Sequence, residues 1–253
     1  MANTPIRKAS LASQVEQIIK TRIDTGEYLP GERLPNEAQF AEEFDVSRAT
    51  IRAAFNAMTA NGTILRRHGV GTFVSQAAQL ANPLDRSIDF LELISSSGFT
   101  ADFNEIISRI IVPGEDVQDK LDLNPVQHVL EVHKVFTADG KPVIYSQNYI
   151  PEWVYKNALT DEQVIAPGTT EPFFSFFSEV CKCELKYYLS DLKVGMPSDY
   201  PLITKPMAIE KNTPILVIDE VGFDIQERPV NYAIEYLSGN RMNFSLVRKC
   251  LDR

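Results

Sequence analysis

Residues 34–52 decide the fold of the first part of this chain, and they read LPNEAQFAEEFDVSRATIR. The stretch predicts two short helices joined by a tight turn at residues 45–46. Asn36 and Ser47 are placed to cap the first and the second helix, because each side chain can accept a hydrogen bond from an amide of the first helical turn. Phe40 and Phe44 recur at helical spacing and predict a buried face on the first helix.

The second helix is expected to run from Ser47 to about Asn61 with one buried stripe. Its first turn presents basic and hydroxyl side chains on or near the opposite face. Such side chains read base edges and hold phosphates when the end of a helix enters a major groove. The buried stripe comprises Ile51, Phe55 and Met58, and the opposite set comprises Arg48, Thr50 and Arg52. The pair of helices is therefore predicted to be a helix-turn-helix that contacts DNA.

A longer helix is predicted upstream of this pair. Apolar residues recur at helical spacing between Leu11 and Thr25, and Gly26 is expected to end the helix. Pro30-Gly31 then makes the turn that leads into the helix-turn-helix. The apolar stripe of the first helix is predicted to comprise Leu11, Val15, Ile18, Ile19 and Ile23.

Two short runs rich in β-branched residues follow the second helix of the pair. Residues 63–67 and 71–75 predict a β-hairpin with a glycine-containing tip at residues 68–71. Arg66, Arg67 and His68 lie beside Gly69, so they are predicted to contact phosphates or the minor groove. Three helices followed by a hairpin make a winged helix-turn-helix.

The net charge of −9 is divided unevenly along the chain. Residues 1–75 hold nine Lys and Arg against eight Asp and Glu, so the acidic excess lies almost wholly in residues 76–253. A near-neutral first domain can carry a local basic face, and that face decides DNA binding more than the total charge does. The acidic total therefore does not exclude DNA binding.

Length and composition set further bounds. A chain of 253 residues is long enough for two domains. No apolar run approaches the roughly 20 residues of a membrane span, and residues 1–8 contain no secretion signal, so a cytoplasmic protein is expected. The three cysteines and three histidines lack the spacing of a metal site, and no catalytic motif is present. No cofactor, metal or enzymatic activity is expected.

The rest of the chain is patterned mainly as strands. Short helices are predicted around residues 88–94 and 172–180. Strands are predicted over residues 106–112, 129–136, 142–150, 187–194, 215–223, 229–236 and 243–248. Hairpin-linked strands with few helices predict an α+β domain built on an antiparallel sheet. We expect a DNA-binding domain at residues 1–75, a linker at 76–86 and a second domain at 87–253.

Residues 26–74 resemble the DNA-binding domain of the GntR family of bacterial transcription regulators. The matching motifs are Pro30-Gly31-x-x-Leu34-Pro35-x-Glu37, Val46-Ser47-Arg48-x-Thr50-x-Arg52, Asn61-Gly62 and Gly69-x-Gly71-Thr72-Phe73-Val74. The resemblance implies operator contacts from the second helix of the pair and from the wing. The predicted DNA-binding set is Ser47, Arg48, Thr50, Arg52, Arg66, Arg67, His68 and Gly69. Ala38 stands where some members place an arginine, so no contact is expected there.

The second domain resembles the UTRA effector-binding domain of the HutC subfamily. The matching pieces are Asn82-Pro83-Leu84, Asp139-Gly140-Lys141-Pro142-Val143, Tyr149-Ile150-Pro151, Thr213-Pro214-Ile215-Leu216, Arg228-Pro229-Val230 and Gly239-Asn240-Arg241. This resemblance implies a fold shared with chorismate lyase, binding of a small metabolite, and a homodimer formed through this domain. Two other effector classes are disfavoured: an all-helical type with a metal site conflicts with the strand-rich sequence, and an aminotransferase-like extension needs a much longer chain.

Strand alternation sorts the candidate effector-binding residues by face. They are Lys134, Phe136, Ser146, Asn148, Asn231 and Glu235. By resemblance, Lys134 and Phe136 occupy positions where sugar-phosphate-sensing members carry two arginines, and Ser146 and Asn231 stand where glutamates are common. A pair of arginines suits a bidentate grip on phosphate, whereas a lysine with a phenylalanine does not. The effector is therefore expected to be less anionic than a sugar phosphate, either uncharged or singly charged.

Together these features predict a homodimeric, metabolite-responsive repressor that binds a pseudo-palindromic operator in double-stranded DNA. Binding of the effector in the second domain would change the affinity for the operator. Two alternatives stay open at this stage. One is an activator or architectural DNA binder without an effector, and the other is an enzyme that uses the lyase-like fold.

Overall fold

The computed structural model of this chain describes residues 10–76, 87, 89–210, 212–238 and 244. These residues fall into two compact units, one over residues 10–76 and the other over the described residues from 87 to 244. Within these ranges, no helix is long and apolar enough to cross a membrane. The predicted α+β class is confirmed, because helices with two wing strands form the first unit and an antiparallel sheet with helices forms the second.

The first unit contains three helices followed by a two-stranded hairpin, as the sequence predicted. The elements are α1 (Leu11–Asp24), α2 (Glu37–Glu43), α3 (Arg48–Ala60), β1 (Ile64–Arg67) and β2 (Gly71–Val74). Each strand is one residue shorter than predicted. Thr63 and Ser75 lie just outside the strands and remain buried, and the Ser75 amide donates a 2.9 Å hydrogen bond to the Thr63 carbonyl.

The helix-turn-helix begins and turns where the sequence predicted. The Asn36 side chain accepts hydrogen bonds from the amides of Ala38 and Gln39, and the Gln39 side chain accepts one from the Asn36 amide, which completes a capping box. Between α2 and α3, Asp45 adopts a φ of 51° in the left-handed region. The Ser47 hydroxyl then accepts a 3.1 Å hydrogen bond from the Thr50 amide and caps α3.

One apolar core holds the first unit together. The predicted stripe of α3 is confirmed, because Ile51, Phe55 and Met58 are all buried. The predicted stripe of α1 is partly wrong: Leu11 and Ile18 are exposed. The buried residues of α1 are Val15, Ile19 and Ile23, which repeat every four residues and so form a narrower stripe than the sequence suggested.

A third backbone segment pairs with the two strands of the wing, and the sequence did not indicate it. Strands β1 and β2 pair in antiparallel fashion, with Ile64 opposite Val74. Residues 31–34 run along the other edge of β2, where the Leu34 amide donates to the Thr72 carbonyl over 2.9 Å. Gly71 adopts a φ of 138°, and a Cβ atom there would lie 2.7 Å from the Arg33 Nε atom. The wing therefore requires glycine at its turn into β2.

The second unit contains a six-stranded sheet and several short helices. The elements are α4 (Phe90–Ser96), β3 (Ala101–Ile111), α5 (Glu115–Leu121), β4 (Val129–Ala138), β5 (Lys141–Pro151), α6 (Glu152–Tyr155), α7 (Asp161–Val164), α8 (Phe173–Ser175), β6 (Leu185–Gly195), α9 (Pro201–Met207), β7 (Ile215–Asp224) and β8 (Pro229–Ser238). A π-helical turn, Phe176–Val180, continues α8, and a 3-10 turn, Pro197–Asp199, precedes α9. The strand predicted over residues 243–248 lies outside the described residues except for residue 244.

The sheet has the strand order β3-β4-β5-β8-β7-β6, and every neighbouring pair is antiparallel. Asp139 and Gly140 form the two-residue turn between β4 and β5, with φ of 50° and 72°. Positive φ at both turn residues matches the right-handed twist of a hairpin. At the turn between β7 and β8, the Asp224 carboxylate accepts hydrogen bonds from the amides of Gln226 and Arg228.

Strand alternation divides the sheet into two faces. We call face A the side that carries Lys134, Ser146 and Glu235, which lie opposite one another across β4, β5 and β8. Face B is the other side and carries His133 and Gln147. Helix α4 packs over one end of face A, and the segment from α6 to the π-helical turn packs over the other end. Helices α5 and α9 pack on face B.

Candidate DNA-contacting surface and effector site

The start of α3 presents two exposed arginines, Arg48 and Arg52. Thr50 lies between them and is half-buried, and its hydroxyl oxygen is 2.9 Å from that of Ser47. The N-terminus of a helix carries unpaired amides and a partial positive charge, which favours an approaching phosphate. This end of α3 is therefore suited to DNA through its side chains and through its backbone.

Glu37 joins α2 to both predicted DNA-contacting elements. Its Oε2 atom accepts hydrogen bonds from Arg52 Nε at 3.1 Å and from Arg52 Nη2 at 2.9 Å. Its Oε1 atom accepts a 2.9 Å hydrogen bond from Arg66 Nη2 on β1. One carboxylate thus fixes an arginine of α3 and an arginine of the wing in the same small region.

The remaining wing residues are held at the surface by aromatic and amide contacts. Arg66 also donates to the Asn56 side chain over 3.0 Å, and the Arg67 guanidinium lies 4.8 Å from the centre of the Phe73 ring. His68 and Gly69 are exposed at the tip between β1 and β2. The structure therefore brings the predicted basic residues to the two elements from which a winged helix contacts DNA, while their contacts with DNA remain predictions.

In the second unit, all the predicted effector-binding residues lie on face A and are buried. The register places Ser146 between Lys134 on β4 and Glu235 on β8, and it places Asn148 opposite Ala233. The set comprises Lys134, Phe136, Ser146, Asn148, Asn231 and Glu235. Their shared face follows from the period of two in each strand and from the register between the strands.

Lys134 is already engaged by acidic and hydroxyl oxygens. Its Nζ atom lies 2.6 Å from Glu171 Oε1 and 2.5 Å from Thr170 Oγ1. It also lies 5.6 Å from the centre of the Phe103 ring. The positive charge that could hold an anionic ligand is therefore neutralised by a buried carboxylate. Burial raises the pKa of Glu171, although the nearby ammonium group of Lys134 opposes this shift.

Phe136 closes one end of the polar region. Its ring packs edge-on against Phe90 of α4, with a centroid separation of 5.1 Å, and lies 6.0 Å from the ring of Phe103. Leu93 and Ile94 of α4 belong to the same cluster. Phe136 therefore stands between the apolar cluster under α4 and the polar part of face A.

A chain of side-chain hydrogen bonds runs across the centre of face A. Asn231 Nδ2 donates to Asn148 Oδ1 over 3.2 Å, and Asn148 Nδ2 donates to Ser146 Oγ over 2.7 Å. The Asn231 Oδ1 atom is buried and has no hydrogen-bond partner within the described part of the chain. A buried acceptor without a partner costs free energy, so this oxygen is available to a donor that enters the site.

Three acidic residues near the site were not predicted from the sequence: Glu105 and Glu220 on face A, and Glu171 in the loop that covers it. Glu105 of β3 lies opposite Lys134 of β4, and Glu220 of β7 lies opposite Ala233 of β8. Burial raises the pKa of Glu105 and of Glu220. The sequence contained an indication that Glu220 is special, because Asp219-Glu220 interrupts a mainly apolar strand. Glu171 lies in a loop between α7 and α8, where no periodic pattern could indicate it.

Face B holds a separate polar network around His133. The His133 Nε2 atom lies 3.0 Å from Glu131 Oε1, and His133 Nδ1 lies 2.9 Å from the Tyr145 hydroxyl oxygen. Burial lowers the pKa of His133, although the Glu131 carboxylate opposes this shift. Arg109 Nε donates to Glu131 Oε2 over 2.6 Å. These residues point away from face A, and no group of three metal-ligating side chains occurs among the described residues.

A winged helix-turn-helix with an arginine-rich contact surface, followed by an antiparallel α+β domain with an enclosed polar face, defines a ligand-responsive transcription regulator. Residues 11–74 match the family described as "Bacterial regulatory proteins, gntR family". Residues 97–243 match the UTRA domain. The chain therefore belongs to the GntR family of bacterial regulatory proteins, in the group that carries a UTRA domain.

Named relatives share this organisation along most of the chain. The probable fructoselysine utilization operon transcriptional repressor of Escherichia coli (strain K12) is 26% identical over 243 residues, which cover 94% of this chain and 95% of that protein. The histidine utilization repressor of Pseudomonas putida is 26% identical over 215 residues, covering 83% of this chain and 81% of that protein. Both relatives are named as repressors.

Solved structures support the fold. A possible transcriptional regulator, YydK from Bacillus subtilis subsp. subtilis str. 168, superposes with a TM-score of 0.77 at 18% identity, covering 95% of this chain and all of that one. PhnF from Mycobacterium smegmatis superposes with a TM-score of 0.55 at 20% identity, covering 96% of this chain and all of that one. At these identities the likeness concerns the fold alone.

Proposed function

We propose that this protein is a repressor that binds a pseudo-palindromic operator and changes its affinity for that operator when a small molecule binds on face A. The observation that carries the proposal is the exposed basic set at the start of α3 and on the wing, within a chain of the GntR family. The relatives named as repressors support the sign of the regulation. The protein acts in the cytoplasm, where it reaches the chromosome.

The first unit supplies contacts of two kinds. Arg48, Thr50 and Arg52 provide readout and register in the major groove, because they occupy the end of α3 that enters the groove in this architecture. Arg66, Arg67 and His68 add phosphate or minor-groove contacts from the wing. Arginine suits both tasks, since its guanidinium can bind a guanine edge or a phosphate in a bidentate manner.

The second unit supplies the response. The polar part of face A is enclosed between two apolar clusters, so a small molecule bound there would be removed from water. Coupling between an effector site and a DNA site typically amounts to about 1 to 3 kcal/mol and is reciprocal. DNA binding would therefore weaken effector binding by the same factor by which the effector weakens DNA binding.

The effector is less anionic than a sugar phosphate. Lys134 is the residue at the position of the first arginine in sugar-phosphate-sensing members, and its ammonium group is already paired with Glu171 at 2.6 Å. Phe136, at the second such position, packs into an aromatic cluster. A phosphate dianion would have to displace Glu171 from Lys134 and would meet further carboxylates on the same face.

The protein acts as a homodimer formed through β6, one of the two edge strands of the sheet within the described residues. Strand β6 is the last strand in the sheet and exposes large apolar side chains, with Leu189 62% and Val194 79% exposed. An exposed apolar edge strand is prone to pair with another strand. If two copies pair antiparallel around Leu192, Asp191 of one protomer lies opposite Lys193 of its partner. The edge is thus complementary to itself in charge.

The alternative functions predict different observations. An enzyme would need a catalytic constellation, and the relatives are named as regulators of transcription, so we propose that the chain is not an enzyme. An activator or architectural DNA binder without an effector would show no ligand-dependent rise in melting temperature across a panel of metabolites. Turnover of an aromatic or sugar substrate would instead identify a lyase-like enzyme.

The test is selection of binding duplexes from a random pool, performed with the wild type, Arg48→Ala and Arg52→Ala. We expect the wild type to enrich a palindromic consensus that both variants lose, because each variant removes a group at the reading end of α3. Lys20→Ala is the matched control, since it removes one positive charge from α1, and it should enrich the same consensus. Failure of the wild type to enrich any sequence, or enrichment unaffected by both arginine substitutions, would refute the proposed reader.

A further inference from the structure

Ala233 lies at the centre of a group of polar side chains on face A. On β8 it is flanked by Asn231 and Glu235, which share its face. Across the strands, Asn148 of β5 lies opposite Ala233 on one side and Glu220 of β7 lies opposite it on the other. On this face, Ala233 is therefore surrounded by four polar side chains.

Three of these neighbours bring acceptor oxygens without bringing donors to satisfy them. Glu235 is 8% exposed, and the structure gives it no hydrogen bond or ion pair within the described residues. Asn231 is fully buried, and its Oδ1 atom lacks a partner in the same residue ranges. Glu220 accepts one hydrogen bond, at 2.6 Å, from the hydroxyl of Ser190. One donor lies nearby: the Tyr188 hydroxyl of β6 is on the same face, close to Asn231, Glu220 and Glu235, and burial raises its pKa. The group around Ala233 therefore holds more acceptor oxygens than donors.

The nearest cation on this face does not relieve the imbalance. Lys134 lies two strands away in register from Glu235, with Ser146 between them, and its ammonium group is bonded to Thr170 and Glu171. Glu220 and Glu235 are diagonal neighbours on β7 and β8. Like charges at such a separation, away from water, favour protonation of one or both carboxyls. In agreement, burial and the charge of Glu220 raise the pKa of Glu235 well above its ordinary value.

We propose that the effector carries a protonated amine, and that Glu220, Glu235 and Asn231 accept the hydrogen bonds of this ammonium group above Ala233. A primary ammonium has three N–H donors, one for each of these three side chains. Ser146 and Asn148, beside it on the same face, offer hydrogen bonds to hydroxyl groups of the ligand. The ligand class is therefore a hydroxylated amine, and this inference rests on the proposed function because it concerns the ligand of the same site.

We expect binding of such a ligand to release protons, because burial and the neighbouring carboxyl favour the protonated form of Glu235 in the empty site. Carboxyls that are protonated in the empty site give up their protons when an ammonium group arrives, since the ionised form then has a cation as its partner. The released protons pass to the buffer. Calorimetry in two buffers of different ionisation enthalpy therefore reports them, and a residue with a purely structural role would not produce this signal.

The test compares 1-amino-1-deoxy-D-sorbitol with D-sorbitol, which differ in one ammonium group in place of a hydroxyl. Both are titrated at pH 7 into the full chain without DNA. We expect the amine to bind at least tenfold more tightly than the alcohol and to release protons on binding. In a Glu220→Gln/Glu235→Gln variant, both the preference and the proton release should disappear. Glu162→Gln, which removes an exposed carboxylate from α7, should keep both.

The variant itself should fold, because glutamine keeps the shape of each side chain and removes a buried charge. Its melting temperature checks this directly. Equal binding of the two polyols, an amine preference that survives in the double variant, or no binding of the amine by the wild type would each overturn the inference. Saturable binding of Mg²⁺ at the same carboxylates in place of the amine would overturn it as well.

Selection of DNA duplexes separates this inference from the proposed function. Loss of amine binding in a protein that still enriches a palindromic consensus overturns the ligand class and leaves the regulator intact. Amine binding by a protein that enriches no duplex supports the ligand class and overturns the proposed DNA-binding regulator. The two experiments use the same full chain, so their outcomes can be compared directly.

Discussion

Glu37 decides the orientation of two arginines that we expect to contact DNA. It is partly buried at the start of α2, and its two oxygens accept hydrogen bonds from Arg52 and from Arg66. Exposed ion pairs contribute little to stability, about 0.2 to 1 kcal/mol each. Their larger effect here is to fix two long side chains before DNA arrives, which lowers the entropy lost on binding.

We expect Glu37→Ala to weaken binding to the selected operator by about three- to tenfold, because both guanidinium groups lose their common anchor. The measurement is a titration of labelled operator at a fixed salt concentration. Glu32→Ala, in the turn before α2, removes the same charge and serves as the control. If Glu37→Ala instead tightens binding, the carboxylate competes with phosphate for the arginines and its orienting role is refuted.

The residues of face A show what strand patterning can predict. Because side chains alternate along a strand, the sequence grouped Lys134 with Phe136, Ser146 with Asn148, and Asn231 with Glu235. The register of β4, β5 and β8 then places these three pairs on one face. The sequence could not reveal that Glu171 pairs with Lys134, since Glu171 follows from the path of a loop and not from any repeat. The charges of the site were therefore only partly predictable: Lys134 and Glu235 were found, whereas Glu105, Glu171 and Glu220 were missed.

At the level of single elements, Ser47 can both cap α3 and contact DNA. The structure shows its hydroxyl accepting the Thr50 amide at the start of α3. Ser47 also belongs to the set of residues that we predict to contact DNA. A cap of this kind contributes about 1 kcal/mol to helix stability, which is enough to disorder the first turn of a helix when it is lost.

We expect Ser47→Ala to speed amide hydrogen exchange in the first turn of α3 and to weaken operator binding, because the arginines of that turn lose a fixed backbone. Ser47→Asn keeps a capping oxygen and should restore slow exchange. Operator binding that also returns in Ser47→Asn would show that the cap is the main contribution. Exchange that is unchanged in Ser47→Ala would contradict the structural role.

Helices and strands differed in how well the sequence predicted them. Helices α1 and α3 were predicted closely, because 13 or 14 residues provide several turns of periodic pattern. Helices α5, α6, α7 and α9 were not specifically predicted, since segments of four to seven residues contain too few turns to show a period. Strands β3 to β8 of the second unit were found but assigned too short, as their ends continue into turns with polar residues, whereas β1 and β2 of the wing were each assigned one residue too long.

For the whole molecule, the free edge of β6 makes assembly testable. Replacing Leu189 and Val194 with aspartate would put charges on both sides of this strand and remove the apolar surface that we expect a second copy to cover. The double variant should have the mass of a monomer in light scattering after size exclusion, whereas the wild type should have the mass of a dimer. It should also bind the operator at least tenfold more weakly, because two linked reading heads bind more tightly than one.

Val126→Asp is the control for this experiment. Val126 is 78% exposed, so the substitution adds the same kind of charge to an exposed valine outside the sheet. It should leave the mass and the operator affinity unchanged. A wild-type protein that is monomeric at working concentrations, or a dimer that survives both aspartates on β6, would contradict assembly through this edge.

The alternation of the two faces bears on how such regulators diversify. Face A carries the proposed ligand contacts, while the next residue along each strand belongs to the packing of face B, as with Lys134 beside His133 and Val135. Point substitutions can therefore change the chemistry of one face and leave the packing of the other intact. An inserted residue within a strand would exchange the faces. Descendants of this scaffold are thus expected to acquire new inducers by replacement, and to tolerate gains and losses of length only at the turns.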